Sequence, residues 1–380
     1  MNTNFKSTSK SCLQSYILPS LTGRGSLLES VALHWGRVCF FLLSLLLFAA
    51  CSSDNDEQVQ QPQPEKSFPL TIEVTENPMT GDGENSSNRA AITDNSSLAS
   101  FKMDYTYGTS SCSESSIPAA KNSEGKWTSS GTWPSSTVDP GTTEVTWHAY
   151  TDGTFNYNSG TPYINFSVDE LASGQTDVLV ATATDTWANC NGNLSFTFDH
   201  ACSAVRFYVK KSTNLVKPSA NPSDPPTPYT LNISSIKLCN VVKRGKYYFG
   251  TSFDTSTWEL VDERTEWTLT SDPLNDLGSE SYVNLNAADD YLFMIPQALT
   301  AWDTTTDIAS VTTQSYLEIE CNVYQGSTKV FPTTSATYGT AYIPFGTANE
   351  KPFLKGKKHE VKINIGKNSL YSGPGTKIIP

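Results

Sequence analysis

Residues 68–75 read Phe-Pro-Leu-Thr-Ile-Glu-Val-Thr, a stretch in which apolar and polar side chains alternate. Successive side chains of a β-strand point to opposite faces, so this pattern predicts a strand with one buried face. The same period recurs along the chain, as in Val145–Tyr150, and no helical period runs longer than about ten residues. The pattern therefore predicts an all-β fold. The residues on the apolar face of the first strand are Phe68, Leu70, Ile72 and Val74.

A change of parity further along the chain predicts a bend. Leu194, Phe196 and Phe198 share one face of a predicted strand, whereas the apolar residues at positions 205–209 have the opposite parity. A bulge or bend around residues 200–204 would reconcile the two runs, because a shift of one residue turns every side chain to the other face.

Many short strands separated by turn residues predict two β-sandwich domains. Long loops are predicted where the alternation is lost, at residues 109–141 and 217–228. The expected segments are an N-terminal sandwich at 67–190 with its first strand at 68–75, a C-terminal sandwich at 191–371, and a tail at 372–380.

The charge balance excludes some classes of partner. The chain has 380 residues, of which 26 are basic and 38 acidic. Residues 1–50 contain four of the bases and one of the acids, so the remainder carries 22 bases and 37 acids and a net charge near −15. A body this acidic repels phosphate along most of its surface, so no nucleic-acid partner is expected.

The first 50 residues have the features of a secretory leader. Residues 38–50 are a 13-residue apolar run behind Arg37. This run is shorter than the roughly 20 residues that a membrane-spanning helix needs, and it is typical of a signal peptide. It ends in Phe48-Ala49-Ala50-Cys51, which resembles the lipobox of bacterial lipoproteins and implies acylation of Cys51. An ordinary signal peptide with an incidental cysteine is the alternative.

Residues 51–66 are predicted to be a solvated tether. An acidic run at residues 52–57 follows Cys51, and polar residues continue to Pro64. The acidic run resembles the surface-export signal of some bacterial lipoproteins, and a plain charged spacer is the alternative. Acyl chains followed by a tether imply a protein that is held at outer-membrane lipid and does not span the membrane.

Residues 79–97 form the candidate processing loop. They are rich in Gly, Asp, Asn and Ser, and Arg89 is their single basic residue. An exposed polar loop with one arginine is a ready substrate for an arginine-specific protease, which would cut between Arg89 and Ala90. The alternative is an ordinary loop in which the arginine has no such role.

Motifs of catalysis and cofactor binding are absent from the sequence. It contains no phosphate-binding glycine loop, no G-x-S-x-G and no H-E-x-x-H. We therefore predict no enzymatic activity, no cofactor and no metal. Cys190, His200 and Cys202 lack the paired spacing of structural zinc sites, so His200 is predicted to be a hydrogen-bonded residue at the strand bend.

The other histidines and the cysteines are assigned structural places. His148 is expected to be exposed or to pack on a loop, and His359 to lie in a solvated turn. The cysteines after Cys51 are odd in number and far apart, so no disulfide framework is predicted and most of them are expected to be small buried hydrophobes.

Six runs together resemble a known family. Their order and spacing, from about Phe68 to Ile365, are similar to those of the fimbrillin-like (Mfa-like) subunits of type V pili. The resemblance implies two tandem transthyretin-like β-sandwich domains. The runs are Arg89–Ile92 with Leu98–Phe101, Val145–Tyr150, Asp177–Ala181, Phe196–Ala201, Tyr291–Gln297 and Gly356–Val361.

The resemblance also implies a mode of assembly. In this family the first strand completes the N-terminal sandwich, a protease that cuts after Arg or Lys then cleaves the following loop, and another subunit donates a strand to the vacated groove. Burial of four inward side chains would contribute roughly 6–12 kcal/mol to the free energy that keeps this strand in the sandwich. The implied partners are other pilin subunits and, for adhesion, glycans or proteins of host or bacterial surfaces. The implied location is the outer-membrane surface, then an extracellular pilus.

The C-terminal segment departs from the family pattern. Residues 366–380 offer few alternating apolar side chains and are interrupted by Gly373-Pro374-Gly375. A stalk subunit and a tip or accessory subunit, which accepts a strand without donating one, both remain open. The alternative function is a surface-anchored monomer that binds glycans. Its candidate contact residues are Trp127, Trp133 and Trp258, in segments predicted to be loops.

Overall fold

The part of the chain that the structure describes is built almost wholly from β-strands. The computed structural model describes residues 68–81, 98–108, 110–111, 116–134, 138–171, 174–270, 272–286, 291–347 and 352–379. The predictions for the leader 1–50, the tether 51–66 with Cys51, and the cleavage pair Arg89 and Ala90 lie outside these residues. No helix in the described ranges is long and apolar enough to cross a lipid bilayer.

The strands up to residue 200 and one short helix are β1 (Thr71–Glu76), β2 (Thr80–Gly81), β3 (Ser100–Tyr107), β4 (Ser110–Ser111), β5 (Ile117–Lys121), β6 (Trp127–Ser129), β7 (Val145–Tyr150), β8 (Thr154–Asn158), β9 (Thr161–Ser167), β10 (Leu179–Asp185), α1 (Trp187–Cys190) and β11 (Asn193–His200). The later strands are β12 (Ser203–Lys211), β13 (Val216–Lys217), β14 (Thr227–Tyr248), β15 (Thr257–Thr270), β16 (Val283–Asn284), β17 (Leu292–Met294), β18 (Tyr316–Gln325), β19 (Thr328–Phe331), β20 (Gly339–Pro344), β21 (Lys357–Ile365), β22 (Tyr371–Gly373) and β23 (Thr376–Lys377). Single 3-10 turns lie at Phe253–Thr255 and Ile308–Ser310.

The strands form three sheets. The first has the order β1-β11-β10-β7-β3-β5-β6, with β4 on β3. The second has the order β16-β12-β21-β2, with β17 on β12. The third has the order β23-β22-β20-β18-β14-β9-β8, with β13 and β15 on β14 and β19 on β18. The predicted all-β fold class is confirmed.

Alternating side chains of the first sheet form one hydrophobic core. The predicted apolar faces of β7 and β11 are both buried there, since none of their side chains is more than 1% exposed. Burial of aromatic and branched side chains on one face is what holds such a sheet to its core. The residues concerned are Val145, Trp147, Ala149, Leu194, Phe196 and Phe198.

A second core begins where the predicted bend occurs. After β11 ends at His200, Ala201 and Cys202 are buried and β12 starts with the opposite parity. Val205, Phe207 and Val209 then enter the second core, so the predicted switch of parity is confirmed. The second and third sheets supply most of this core, whose buried thiols include the free Cys202 and Cys321.

Strand pairing crosses the predicted division between residues 190 and 191 in both directions. β11 follows this point in the sequence but lies in the first sheet, whereas β8 and β9 precede it and continue the third sheet through β14. Residues Pro64–Pro380 form one compact unit. The two-domain boundary therefore stays a prediction.

One of the two predicted long loops is wrong. Residues 109–141 contain β5 and β6, which pair with each other and join the first sheet through β3. β5 was missed because its residues Pro118 to Ala120 include only small side chains and a proline, although Ala119 is 1% exposed. The other loop is present, between Lys217 and Thr227.

The predicted positions of two histidines are wrong. His148 is buried, with its ring 4.8 Å from that of Phe249 and 5.7 Å from that of Phe155, because both faces of β7 are covered. Burial lowers the pKa of His148 to about 3. His359 is buried in β21, where its Nε2 accepts a hydrogen bond of 3.0 Å from the Leu354 amide.

Candidate functional site

The first strand lies at the edge of the first sheet, in a groove beside β11. β1 and β11 run parallel, from the pair Thr71 and Asn193 to the pair Glu76 and Phe198. The Thr71 amide donates to the Gly192 carbonyl at 2.8 Å, and the Asn77 amide donates to the Phe198 carbonyl at 2.8 Å. A single ladder of backbone hydrogen bonds therefore holds the length of β1 to its neighbour.

The predicted alternation of side chains is present in this segment. Ile72 is 6% exposed, and Phe68, Leu70 and Val74 are half-buried against the first core. The ring of Phe68 lies edge-on to that of Trp187, with centroids 4.9 Å apart. Because one side chain is fully buried and three are half-buried, their contribution is roughly 4–8 kcal/mol, below the range that four buried side chains would give.

The outer face of β1 makes polar contacts that water can replace. Glu73 Oε1 accepts a 3.0 Å hydrogen bond from Asn193 Nδ2, and the hydroxyls of Thr75 and Thr197 lie 3.0 Å apart. These side chains are exposed, so each contact contributes little beyond what solvent would supply.

The start of the segment is held from two sides. Pro69 forms an isolated antiparallel bridge with Thr132, and the Trp133 amide donates to the Phe68 carbonyl at 2.8 Å. On the other side, Gly192 has a φ of +78°, and a Cβ there would lie 2.6 Å from the Pro69 carbonyl oxygen. Gly192 is therefore required both for the turn and for the close approach of the first strand.

The end of β1 brings three ionisable side chains together. His200 Nδ1 donates a hydrogen bond to Asp177 Oδ2, and its Nε2 lies 3.6 Å from Glu76 Oε1. Burial on its own lowers the pKa of His200, but the hydrogen bond and charge of Asp177 and the charge of Glu76 together raise it above its ordinary value. The prediction of a hydrogen-bonded histidine at the bend is confirmed.

Beyond β1 the chain passes to the second sheet. Met79 is 2% exposed, and β2 pairs in parallel with β21 at Lys357 and Lys358. The Lys357 ammonium donates to Thr80 Oγ1 at 2.6 Å. The segment from Phe68 to Gly81 thus contacts both the first and the second sheet, and its last three residues, predicted as the start of the processing loop 79–97, pack on the body instead.

Sequence reasoning identified the inward residues of this site but missed three others. These are Trp187, Gly192 and Glu76, which complete the groove. The parity of Glu76 was a usable signal, because it shares its face with Leu70, Ile72 and Val74.

The three tryptophans of the glycan-binding alternative are not exposed platforms. Trp133 is 1% exposed within the first core. Trp127 is half-buried, with its ring 5.0 Å from that of Phe101. Trp258 is half-buried as well, and its Nε1 donates to the Ala201 carbonyl at 2.8 Å. Their expected exposure is wrong, because each packs against strands of its own sheet or core.

The C-terminal segment folds back onto its own chain. β22 and β23 form a hairpin on β20 at the edge of the third sheet. Leu370 is 0% exposed and Ile379 is 1% exposed, both in the second core. The ring of Tyr371 lies 5.7 Å from that of Trp302.

The described residues contain no group of three or more His, Cys, Asp or Glu side chains arranged to hold a metal ion. A cavity of about 530 Å³ in the described residues is lined by Asp152, Asp169, Glu170 and Lys243 among others. Its charged groups are engaged locally: Lys243 pairs with Glu170 at 2.7 Å, and Asp152 accepts from Thr176 at 3.0 Å.

Comparison with known proteins gives a family match and several weak structural similarities. A family model described as fimbrillin-like matches residues 79–378. A structure described as a cell adhesion protein from Bacteroides uniformis is 14% identical over 81% of this chain and 96% of that chain, with a TM-score of 0.40. A second, from Bacteroides ovatus, is 12% identical over 80% and 94%, with a TM-score of 0.39. A fimbrial protein from Bacteroides ovatus is 14% identical over 79% and 50%, with a TM-score of 0.29. No curated protein matches this chain.

Proposed function

The chain belongs to the fimbrillin-like family, and we propose that it is a structural subunit of a bacterial surface pilus that assembles by exchange of its first strand. The observation that carries the proposal is the place of β1, a single strand at a sheet edge whose inward side chains contact the core. In this view β1 is a temporary occupant, and a strand from another subunit takes its place.

The groove is suited to receive a strand. Departure of β1 would leave the backbone of β11 without a partner on that side and would uncover apolar residues such as Leu194 and Phe196. Unpaired backbone groups and exposed apolar surface are both unfavourable, so the vacated edge favours addition of another alternating strand.

Processing would supply the opening step. Lipid on Cys51 would hold the unprocessed subunit at the outer membrane, and cleavage between Arg89 and Ala90 would separate the first strand from the rest of the chain. The fragment would then be held only by noncovalent contacts, namely its backbone ladders, buried Ile72 and Met79 and the half-buried side chains, so another strand could displace it. The mature protein would be extracellular, within the pilus.

The C-terminal hairpin favours a tip or accessory position over a stalk position. A donor segment must leave its own subunit, yet Leu370 and Ile379 are almost fully buried in the second core. Extraction of both side chains would cost roughly 3–6 kcal/mol, and no incoming strand would offset this cost in the same place, as a donated strand would offset the loss of β1. We infer a subunit that accepts a strand, contacts other pilin subunits in that way, and presents its body to host or bacterial surfaces.

The first test is the N-terminus of the protein in shed fibres. We expect the wild-type chain to begin at Ala90, and Arg89→Gln to keep the protein attached to cells. Arg244→Gln is the matched control, because Arg244 is an exposed arginine in β14, far along the chain from the loop. Fibres whose subunits still begin at Cys51 would contradict the proposal.

A further inference from the structure

The inward face of the first strand ends in a carboxylate. Leu70, Ile72, Val74 and Glu76 share one parity, so all four side chains belong to the face of β1 that meets the groove. The first three are apolar and pack against the core, whereas the side chain of Glu76 is 8% exposed and lies beside His200. The groove therefore holds three apolar side chains and then an acid.

His200 is positioned to meet that acid. Its side chain is 4% exposed, and its Nδ1 is occupied by Asp177 in the segment that precedes β10. The opposite ring nitrogen, Nε2, faces Glu76 Oε1 at 3.6 Å, and the backbone of Asn77 also favours the charged imidazole. A histidine held between two carboxylates is stabilised in its charged form, which strengthens its attraction for each of them.

The adjoining backbone sets the register of this contact. The Asn77 amide donates to the Phe198 carbonyl, and Asn77 Nδ2 donates to Asp199 Oδ1 at 2.8 Å. A strand shifted by one residue would turn its acid to the outer face, away from His200. The contact thus depends on both the residue type and its position in the strand.

A strand without this acid would leave the site incomplete. A buried polar group that loses its partner carries a desolvation penalty that no new contact offsets. With an apolar or amide side chain in the place of Glu76, Nε2 of His200 would face no negative charge from the strand. The groove would then hold that strand less tightly than one with a carboxylate.

Resting on the proposed acceptor role of the groove, we propose that His200 selects the incoming strand by its charge. The fitting partner is an extended segment with apolar residues at alternate positions, followed two residues later by Glu or Asp. Residues 366–380 of this chain contain neither Asp nor Glu, so that segment does not supply the acid. His200 acts here as a specificity-determining residue for strand exchange.

The test uses the full chain with a specific protease site placed between residues 82 and 97. After cleavage, the bound N-terminal fragment is exchanged for labelled peptides with the sequence of residues 68–81. We compare the natural peptide, Glu76→Gln and Glu73→Gln. The Glu73→Gln peptide is the matched control, because it loses the same charge from the exposed face of the same strand.

The natural and Glu73→Gln peptides are expected to bind within about 2-fold of each other, and the Glu76→Gln peptide at least about 10-fold more weakly. In a His200→Gln chain this difference should largely disappear, as expected for two groups that act on each other. Equal binding of all three peptides to the wild-type chain would overturn the selection by His200 and leave the acceptor role standing. Failure of the natural peptide to enter the cleaved chain would overturn the acceptor role, and the inference with it.

Discussion

The two end segments of the described body both lie on sheet edges, but they are anchored differently. Residues 68–81 contact the first and second sheets with Ile72 and Met79 buried and most other apolar side chains half-buried. Residues 366–379 form a hairpin on the third sheet with Leu370 and Ile379 almost fully buried. The first segment pairs in parallel, through β1 with β11 and through β2 with β21, whereas the second is closed on itself by the pairing of β22 with β23.

Under the proposed function, this difference separates a replaceable segment from a fixed one. A single edge strand can be displaced residue by residue, since an incoming strand can form each ladder bond as the old one breaks. The hairpin has no such replacement, so the burial of Leu370 and Ile379 would be lost without compensation. This contrast supports our proposal that exchange occurs at the N-terminal edge and that the C-terminal edge gives structural support.

The largest effect is expected from the fixed end. Leu370→Ala should lower the free energy of unfolding by about 3 kcal/mol, because it removes a fully buried side chain and leaves a cavity. Urea denaturation of the two proteins measures the difference. Ile378→Ala, in the same hairpin but only half-buried, is the control and should cost about 1 kcal/mol. Equal, small losses for both variants would show that the hairpin is not anchored by the core.

An intermediate effect is expected where the replaceable end begins. Gly192→Ala adds a Cβ 2.6 Å from the Pro69 carbonyl oxygen at a φ of +78°. This variant should lower the free energy needed to detach β1 by about 1–2 kcal/mol. Hydrogen exchange of the Thr71 amide, which donates to Gly192, measures the opening.

Gly160→Ala is the matched control for this variant. Gly160 has a similar φ of +88°, but a Cβ there meets no atom within 4 Å. It should strain the backbone of its own turn and leave the exchange of Thr71 unchanged. Equal acceleration of that amide in both variants would mean that the close approach at Gly192 does not hold the strand.

The smallest effect is a pH dependence confined to the replaceable end. The pKa of His200 is raised in the folded protein. The stability that protonated His200 contributes is therefore fully present below about pH 6.5, and it is lost as the pH rises through the raised pKa. Protection of the β1 amides, corrected for intrinsic exchange, should therefore fall over that interval. Glu76→Gln should remove most of this dependence, and protection of the Ile378 amide in the C-terminal hairpin should stay constant.

Global unfolding provides a control of opposite sign. Burial lowers the pKa of His148 to about 3. The contribution of neutral His148 to the free energy of unfolding is therefore present above about pH 6.5 and is lost as the pH falls toward 3. Acid should thus destabilise the whole chain, whereas base should loosen only the first strand. Loosening of β1 in acid, in step with global unfolding, would contradict the separate behaviour of the two ends.

Local alternation predicted which side chains point together, and it did so reliably. Ile72, Trp147 and Phe207 were each assigned to an apolar face and each is buried. The change of parity between Phe198 and Val205 also predicted the bend at which the two cores separate. These features follow from the period of a strand, which is a property of neighbouring residues.

The sequence could not show what covers the second face of a strand. His148 was expected at the surface because it is polar and points to the face of β7 opposite that of Trp147. Phe155 and Phe249, from other parts of the chain, pack on it instead. The contact of Glu76 with His200 was missed for the same reason, since it joins residues more than 100 positions apart. Such contacts depend on long-range pairing, which no local period encodes.

The long strand β14 has a consequence for how the chain reaches its native state. β9, which precedes β11 in the sequence, pairs with the far end of β14 at Tyr247 and Tyr248. The first half of the described body thus cannot complete its sheet pairing until residues 227–248 are available. The two halves therefore cannot fold one after the other. Late-forming distant pairs of this kind slow folding and leave strand edges uncovered in the meantime. A chain emerging N-terminus first therefore needs protection from premature association until its second half arrives.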